Sequence, residues 1–248
     1  MIAMRSLQII KWVGLFVLLA VLLAAGMLWW QASRAPAGYR PADLTVQQRQ
    51  ESATSFVNRQ VLSFVNQASE GRPYELHATE QEINHYLASM DEIAANMPGG
   101  RTGQVSEALA RARLSGPAIE LGGGRARLML QSLDIDKILS VDLKPTFTPE
   151  GRLRIEIQQA MIGRVAVPLN EVRRQIVSLQ RQLAHAVEQK SGGDAVTKDE
   201  LGRMLAAVLL AVDGQPVELV WKNRVRVNDI RINAQGITVQ IVPIGGSR

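Results

Sequence analysis

The stretch that decides the fold is residues 160–172, which read A-M-I-G-R-V-A-V-P-L-N-E-V. The segment that leads into it, residues 152–162, alternates apolar and polar side chains, as a strand with one wet face does. Gly163 permits a bend at the end of this strand. Pro168 suits the first turn of a helix, where its missing N–H is no loss. The stretch therefore predicts a strand that bends at a glycine and leads into a long helix lying across a sheet.

The segments around this stretch carry strand patterns joined by turn signals. Two hairpins are predicted, Ala112–Leu121 with Arg125–Leu133 across Gly122–Gly124, and Ile138–Thr148 with Arg152–Ile162 across Pro149–Gly151. Three further strands are expected at Val217–Trp221, Val225–Ile232 and Ile237–Val242. Short turns between neighbouring strands favour antiparallel pairing. The predicted fold class is therefore α+β, with an N-terminal transmembrane helix followed by a curved antiparallel sheet packed against long amphipathic helices.

Helical patterns account for most of the remaining chain. Thr79-Glu80-Gln81-Glu82 is a capping box, in which the Thr79 hydroxyl can accept from the Glu82 amide while Glu82 reaches back. Thr197-Lys198-Asp199-Glu200 is a second capping box. With the apolar stripes, these signals predict four helices, at Val46–Ser69, from Thr79 to before Pro98, at Leu169–Lys190 and at Thr197–Val212.

The N-terminal segment Trp12–Trp30 contains no charged residue and no proline. At ~1.5 Å per residue a helix of this length spans roughly 30 Å, the thickness of a bilayer core. Tryptophans at both ends suit the two membrane interfaces. We therefore predict a single-pass anchor in the cytoplasmic membrane, with the short basic N-terminus inside and the C-terminal domain outside. The alternative is a cleaved signal peptide, since Ala35-Pro36-Ala37 offers a small–x–small pattern, but the apolar run exceeds the usual ~7–15 residues.

The predicted organisation follows from this anchor. It comprises a short basic N-terminus (1–11), the transmembrane anchor (12–30), a linker (31–45) and a single extracytoplasmic α+β domain (46–248). The linker contains Pro36, Gly38 and Pro41 and few large apolar residues, so we expect it to act as a tether.

Composition excludes several classes of function. The formal net charge of +5 is spread along the chain, and only 4% of residues are aromatic. Nucleic-acid binding is not expected, because a basic patch with interleaved aromatic residues is missing. There is no cysteine, which excludes disulfides, thiolate chemistry and cysteine metal sites.

The sequence also lacks motifs for catalysis or metal binding. The histidines, His77, His85 and His185, do not stand at the spacing of metal ligands. Asp134 and Asp136 share one side of a strand-like stretch, where solvated carboxylates are a commoner explanation than a cation site. No nucleophile has a base placed beside it by the sequence. We therefore expect a protein that is not an enzyme and that carries no metal and no cofactor.

The order of elements resembles a known group of proteins. It runs from an anchor to T-E-Q-E-I-N-H-Y-L (Thr79–Leu87), then Q-Q-A-M-I-G-R-V-A-V-P-L (Gln158–Leu169), and ends on V-N-D-I-R-I-N-A-Q-G-I-T-V-Q-I-V-P (Val227–Pro243). This order resembles the YpmS-like single-pass bacterial membrane proteins of unknown function. It is more distantly similar to tubular lipid-binding (TULIP-like) domains, which implies a curved sheet wrapped around a long helix beside an apolar groove. The loop Met97–Gly103 and the helix Thr197–Val212 depart from that pattern.

Two hypotheses for function remain open. In the first, the anchored domain binds a lipid or another apolar ligand between sheet and helices. Its candidate lining residues are Ile155, Ile157, Val172, Ile176, Leu179, Met204 and Val208. In the second, the domain is a structural or assembly subunit that docks on another envelope protein through the polar face of Leu169–Lys190. An apolar cavity of at least ~300 Å³ favours the first hypothesis, and a closed core with a large exposed apolar patch favours the second.

Overall fold

The structure, a computed structural model, describes residues 19–27, 29–96, 102–170, 220–221 and 225–244. Within these ranges the chain folds as helices and antiparallel strands, so the predicted α+β class is confirmed. The described helices are α1 (residues 19–27 and 29–33), α2 (Val46–Ser55), α3 (Leu62–Glu70), α4 (Glu80–Ala88), α5 (Met90–Asn96) and α6 (Gln104–Arg111). A π-helical segment, Phe56–Val61, joins α2 to α3, so the predicted helix at Val46–Ser69 is continuous.

The strands form two sheets rather than the single sheet predicted. The five-stranded sheet has the order β2-β3-β4-β5-β6, and the four-stranded sheet has the order β1-β9-β8-β7. Every described pair is antiparallel. The strands are β1 (Tyr74–Ala78), β2 (Leu114–Gly122), β3 (Arg125–Ser132), β4 (Lys137–Phe147), β5 (Leu153–Ile162), β6 (Val165–Ala166), β7 (Val220–Trp221), β8 (Val225–Asn233) and β9 (Gly236–Pro243).

The strands divide into two sheets because of a long-range strand pairing that local sequence patterns do not predict. β1 precedes the five-stranded sheet in the chain but pairs with β9, with Tyr74 opposite Ile241 and Ala78 opposite Ile237. The C-terminal hairpin therefore joins an N-terminal strand instead of extending the central meander. The two predicted hairpins and the C-terminal pair themselves are confirmed.

Helix α4 begins where the capping box predicted. The Glu82 amide donates to the Thr79 hydroxyl, and the Glu82 carboxylate accepts from the Thr79 amide at 2.8 Å. Helix α2 begins with a capping box too, formed by Thr45 and Gln48. Its second member is a neutral glutamine, whereas that of α4 is a glutamate. Two orphan amides at each helix start are thus satisfied by side chains.

The main apolar core lies where α3 and the two sheets meet. Ala68 of α3, Leu153 of β5 and Val225 of β8 are each at most 2% exposed. Phe64 and Ile155 pack against this cluster. This core joins the helix to both sheets.

The stretch at the end of β5 folds as a tight turn. Gly163 adopts a φ of +59°, and the chain returns as β6, with Val165 opposite Ile162. A Cβ at Gly163 would collide with the backbone carbonyl of Ala32. Only glycine therefore combines this conformation with so close an approach. The helix expected after Pro168 lies outside the described residues beyond residue 170.

Residues 31–41 of the linker pack on the five-stranded sheet. The Arg164 amide donates to the Gln31 carbonyl at 3.2 Å, and the Tyr39 hydroxyl donates to the Gly116 carbonyl at 3.0 Å. Tyr39 also covers the buried side chains of Ala118 and Met129. The linker is thus part of the folded domain along this face.

The predicted anchor is described only in part, because residues 12–18 and 28 lie outside the described residues. Over the described ranges, no helix has both the length and the apolar content that a membrane crossing requires.

Candidate apolar ligand site

The predicted lining residues fall into two groups. Val172, Ile176, Leu179, Met204 and Val208 lie outside the described residues. Ile155 and Ile157 lie on β5, where Ile155 packs against the main core and Ile157 is only 7% exposed. Both described side chains are therefore part of close-packed structure, and neither lines the apolar cavity described next.

An apolar cavity of about 360 Å³ lies between helix α6, the α4–α5 junction, the start of β2 and the linker. Most of its lining side chains are aliphatic or small. They are Pro41, Ala42, Leu87, Ala88, Met90, Asp91, Val105, Ser106, Leu109, Ala110, Leu114, Ser115, Gly116, Pro117 and Leu133. The volume is at the lower end of the range of ~300–1,000 Å³ typical of ligand sites.

Helix α6 forms the outer wall of this cavity, and Asp91 holds its first turn. The Asp91 carboxylate accepts from the amides of Val105, at 2.8 Å, and Ser106, at 3.1 Å. The Ser106 hydroxyl donates to the other carboxylate oxygen. A carboxylate at a helix N-terminus satisfies orphan amides and also interacts well with the helix dipole. Asp91 thus acts as a cap for α6 although it belongs to α5.

These contacts also determine how Asp91 titrates. Partial burial opposes its ionisation, but the hydrogen bonds from Ser106 and Val105 outweigh the burial and lower the pKa of Asp91 below its ordinary value. The carboxylate is therefore ionised at neutral pH and keeps its cap.

The linker and a turn of the sheet complete the cavity. Pro41 and Ala42 line one side, next to Gly116 and Pro117 of β2. Leu133, in the turn between β3 and β4, lines the other side, and its amide donates to the carbonyl of Arg113 at 2.8 Å. Arg113 is the second residue after α6, so this hydrogen bond connects the turn between β3 and β4 to the end of the outer wall.

A charged cluster occupies the linker-covered face of the same sheet. Asp142 is fully buried and accepts two hydrogen bonds from Arg127, at 2.6 and 3.1 Å. Arg125 lies 3.2 Å from the same carboxylate, and Glu120 accepts from Arg127 at 3.1 Å. The hydrogen bond to Asp142 raises the pKa of Arg127. This cluster neutralises itself internally, so we assign it a structural role.

Sequence patterns did not reveal the cavity, for a specific reason. Helix α6 was not predicted, because the glycine-rich segment from Pro98 to about Ser106 was interpreted as a loop and a strand period was expected from Leu109 onwards. The available signal was the pair Val105 and Leu109, four residues apart on one helical face. Both side chains are half-buried and line the cavity.

The lining of the cavity is mainly apolar. Among the described residues, no group of three or more histidine, aspartate or glutamate side chains is placed to hold a metal ion. Comparison with protein-family models, with curated proteins and with solved structures gives no match. The aliphatic lining and the single capping carboxylate are features of a site for an apolar ligand.

Proposed function

We propose that this protein is a non-enzymatic, single-pass membrane protein whose extracytoplasmic domain binds one acyl chain in the cavity beneath α6. The anchor is residues 12–30, with the N-terminus in the cytoplasm. The observation that carries the proposal is the cavity itself, which is largely aliphatic and about 360 Å³ in volume. The more distant similarity in element order to TULIP-like domains supports the same class of ligand.

The lining explains why the ligand is apolar and small. Burying one methylene group contributes about 0.8 kcal/mol, and the aliphatic side chains of Leu87, Leu109 and Leu114 supply the surface for such contacts. A volume at the lower end of the usual range accommodates a single chain better than a lipid with two chains.

Native mass spectrometry of the 248-residue chain, released from detergent and followed by lipid extraction, tests this proposal. We expect an added mass in the range of a fatty acid or single-chain lipid, at one copy per protein. A clean protein mass after incubation with palmitate and with lysophosphatidylglycerol would overturn the proposal. Crosslinking for an envelope protein partner would then be the next experiment.

A matched pair of variants assigns the bound ligand to this cavity. Ala110 and Ala112 are both exposed alanines near the end of α6, but only Ala110 lines the cavity. We expect Ala110→Trp to reduce bound acyl chain at least several-fold, because the indole occupies the opening. Ala112→Trp should bind as the parent protein does. Equal loss in both variants, or in neither, would place the ligand elsewhere.

A further inference from the structure

The turn between β3 and β4 carries two exposed aliphatic side chains. Leu133 is 44% and Ile135 is 48% exposed. Turns at the ends of strands are normally built from polar residues and glycine. Two large apolar side chains at one tip therefore suggest a surface that water does not cover in the working protein.

This turn lies beside the end of the N-terminal helix. The Lys137 ammonium donates to the Ser33 hydroxyl at 2.7 Å and lies 4.9 Å from the centre of the Trp29 ring. The Arg34 guanidinium lies 3.7 Å over the ring of Trp30. Both tryptophans are more than half exposed, at 70% and 53%. Two apolar turn residues and two indoles are thus gathered at one end of the five-stranded sheet.

The charges around these apolar groups are mainly basic. Arg34 and Arg164 are exposed, and Lys137 is half-buried beside Trp29. Of the two acidic turn residues, Asp134 pairs with Arg113 at 2.8 Å and Asp136 accepts from Gln131 at 2.9 Å. Asp136 keeps its charge, because Gln131 is neutral, so three basic side chains stand near one carboxylate without a basic partner among these residues. Exposed apolar residues and indoles beside an excess of lysine and arginine suit a bilayer interface, where the basic groups can pair with lipid phosphates.

We propose that Trp29, Trp30, Leu133 and Ile135 form a membrane seat, a surface by which the outer domain rests on the anionic leaflet next to its anchor. The proposal rests on the anchor proposed above. We take the sheet to stand upright on the seat. Because β4 is 11 residues long, at ~3.3 Å per residue its far end is then about 35 Å from the seat. The turn that contains Glu150 then lies far from the bilayer.

The membrane seat also gives the cavity a route to its ligand. Leu133 belongs both to the exposed turn and to the cavity lining. An acyl chain that enters from the seat would therefore reach the cavity at Leu133.

Site-specific fluorescence tests the seat, and the chain suits this because it contains no cysteine. Ile135→Cys and Glu150→Cys, each labelled with the environment-sensitive dye NBD, are placed in the 248-residue chain in vesicles of phosphatidylcholine and phosphatidylglycerol. We expect NBD at position 135 to emit at shorter wavelength and to be quenched at least twofold by brominated lipid. NBD at position 150, on an exposed residue at the opposite end of β4, should show neither effect.

The remaining outcomes separate the seat from the anchor. If the protein floats with the vesicles but position 135 behaves like position 150, the seat is overturned and the anchor stands. If the emission at position 135 shifts without quenching by brominated lipid, a protein surface covers the turn and the lipid assignment is overturned. If the protein does not float with vesicles, both proposals fail.

Discussion

The five-stranded sheet is bordered by one closed region and one open region, and the same linker passes both. In the closed region, residues 31–39 cover the sheet, Asp142 and Met129 are fully buried, and the carboxylate has two arginine neighbours. In the open region, Pro41 and Ala42 border a cavity of about 360 Å³ beneath α6. Residues 31–39 thus pack on the sheet, whereas Pro41 and Ala42 border an unfilled apolar space. A second cavity, of about 400 Å³, opens at the edge of the charged cluster, where Glu120, Arg125 and Arg127 line it.

The closed and the open region are stabilised by different interactions. The closed region is held by a buried ion pair and by a glycine turn that admits the Ala32 carbonyl. The open region is held by one carboxylate, Asp91, on the first turn of a short helix. We infer that the closed region is rigid structure and that the open region can yield to admit a ligand.

The largest effect is expected from removing the buried carboxylate in the closed region. Asp142→Ala leaves Arg127, only 21% exposed, without its main partner. Breaking a buried pair costs about 3–5 kcal/mol. Glu120 remains beside Arg127 in this variant, and Arg125 can turn to solvent. We therefore expect the free energy of unfolding, measured by urea denaturation, to fall by about 3 kcal/mol.

The exposed pair Arg113–Asp134 provides the control for this prediction. Both side chains are 61% exposed and the N–O distance is 2.8 Å. An exposed pair contributes under about 1 kcal/mol, so Asp134→Ala should change stability little. Similar losses in the two variants would show that burial does not distinguish these pairs.

A smaller effect is expected at the turn where the linker meets the sheet. Gly163 and Gly123 both have a φ of +59°, but only Gly163 faces a neighbour, the Ala32 carbonyl, while the space around Gly123 is open. Gly123→Ala should lose about 1 kcal/mol from strain alone. Gly163→Ala should lose about 2 kcal/mol or more, because the backbone must also move.

Thermal or urea unfolding of the two glycine variants measures the difference between them. That difference isolates the contact between the linker and the end of β5. If both alanine variants lost the same free energy, the approach of Ala32 would contribute nothing to the closed region. Faster proteolysis after Arg34 in Gly163→Ala alone would locate the change at the linker.

Local signals predicted the hairpins and the capped helix α4, since a glycine turn or a Thr-x-x-Glu box acts within a few residues. The pairing of β1 with β9 was not predicted, because Tyr74 and Ile241 meet only through the tertiary fold. Helix α6 was missed for the same reason. Its cap, Asp91, stands 14 residues before Val105.

The candidate site was harder to predict than the fold. Alternation along β5 identified Ile155 and Ile157 as one apolar face, and both are indeed at least half-buried. Alternation, however, does not distinguish a packed face from an open one. The cavity lies where α6, the α4–α5 junction, β2 and the linker meet. Asp91 holds α6 in that place, so the pattern of any one strand does not reveal the cavity.

The smallest effect concerns the cap of the open region and its response to pH. Since the pKa of Asp91 in the folded protein is lower than in the unfolded chain, its stabilising contribution is complete above the ordinary aspartate value of ~3.9. The contribution is lost as the pH falls through the lower pKa of the folded state. Losing a helix cap costs about 0.5–2 kcal/mol. The Val105 and Ser106 amides should therefore lose protection against hydrogen exchange as the pH falls from 5 through the pKa of Asp91 in the folded protein. A loss of about 1.4 kcal/mol corresponds to protection that is about tenfold lower.

Helix α2 and an isosteric variant show whether Asp91 is the cause. The cap of α2 contains only Thr45 and Gln48, which do not titrate, so the Gln48 amide should keep its protection over the same pH range. Asp91→Asn keeps an oxygen that can accept from the Val105 and Ser106 amides but lacks the negative charge. We therefore expect part of the loss of protection already at pH 5 and little further change in acid. If the amides of α6 stayed equally protected in acid in the parent protein, Asp91 would not control the outer wall. The cavity would then be as rigid as the region that the linker closes.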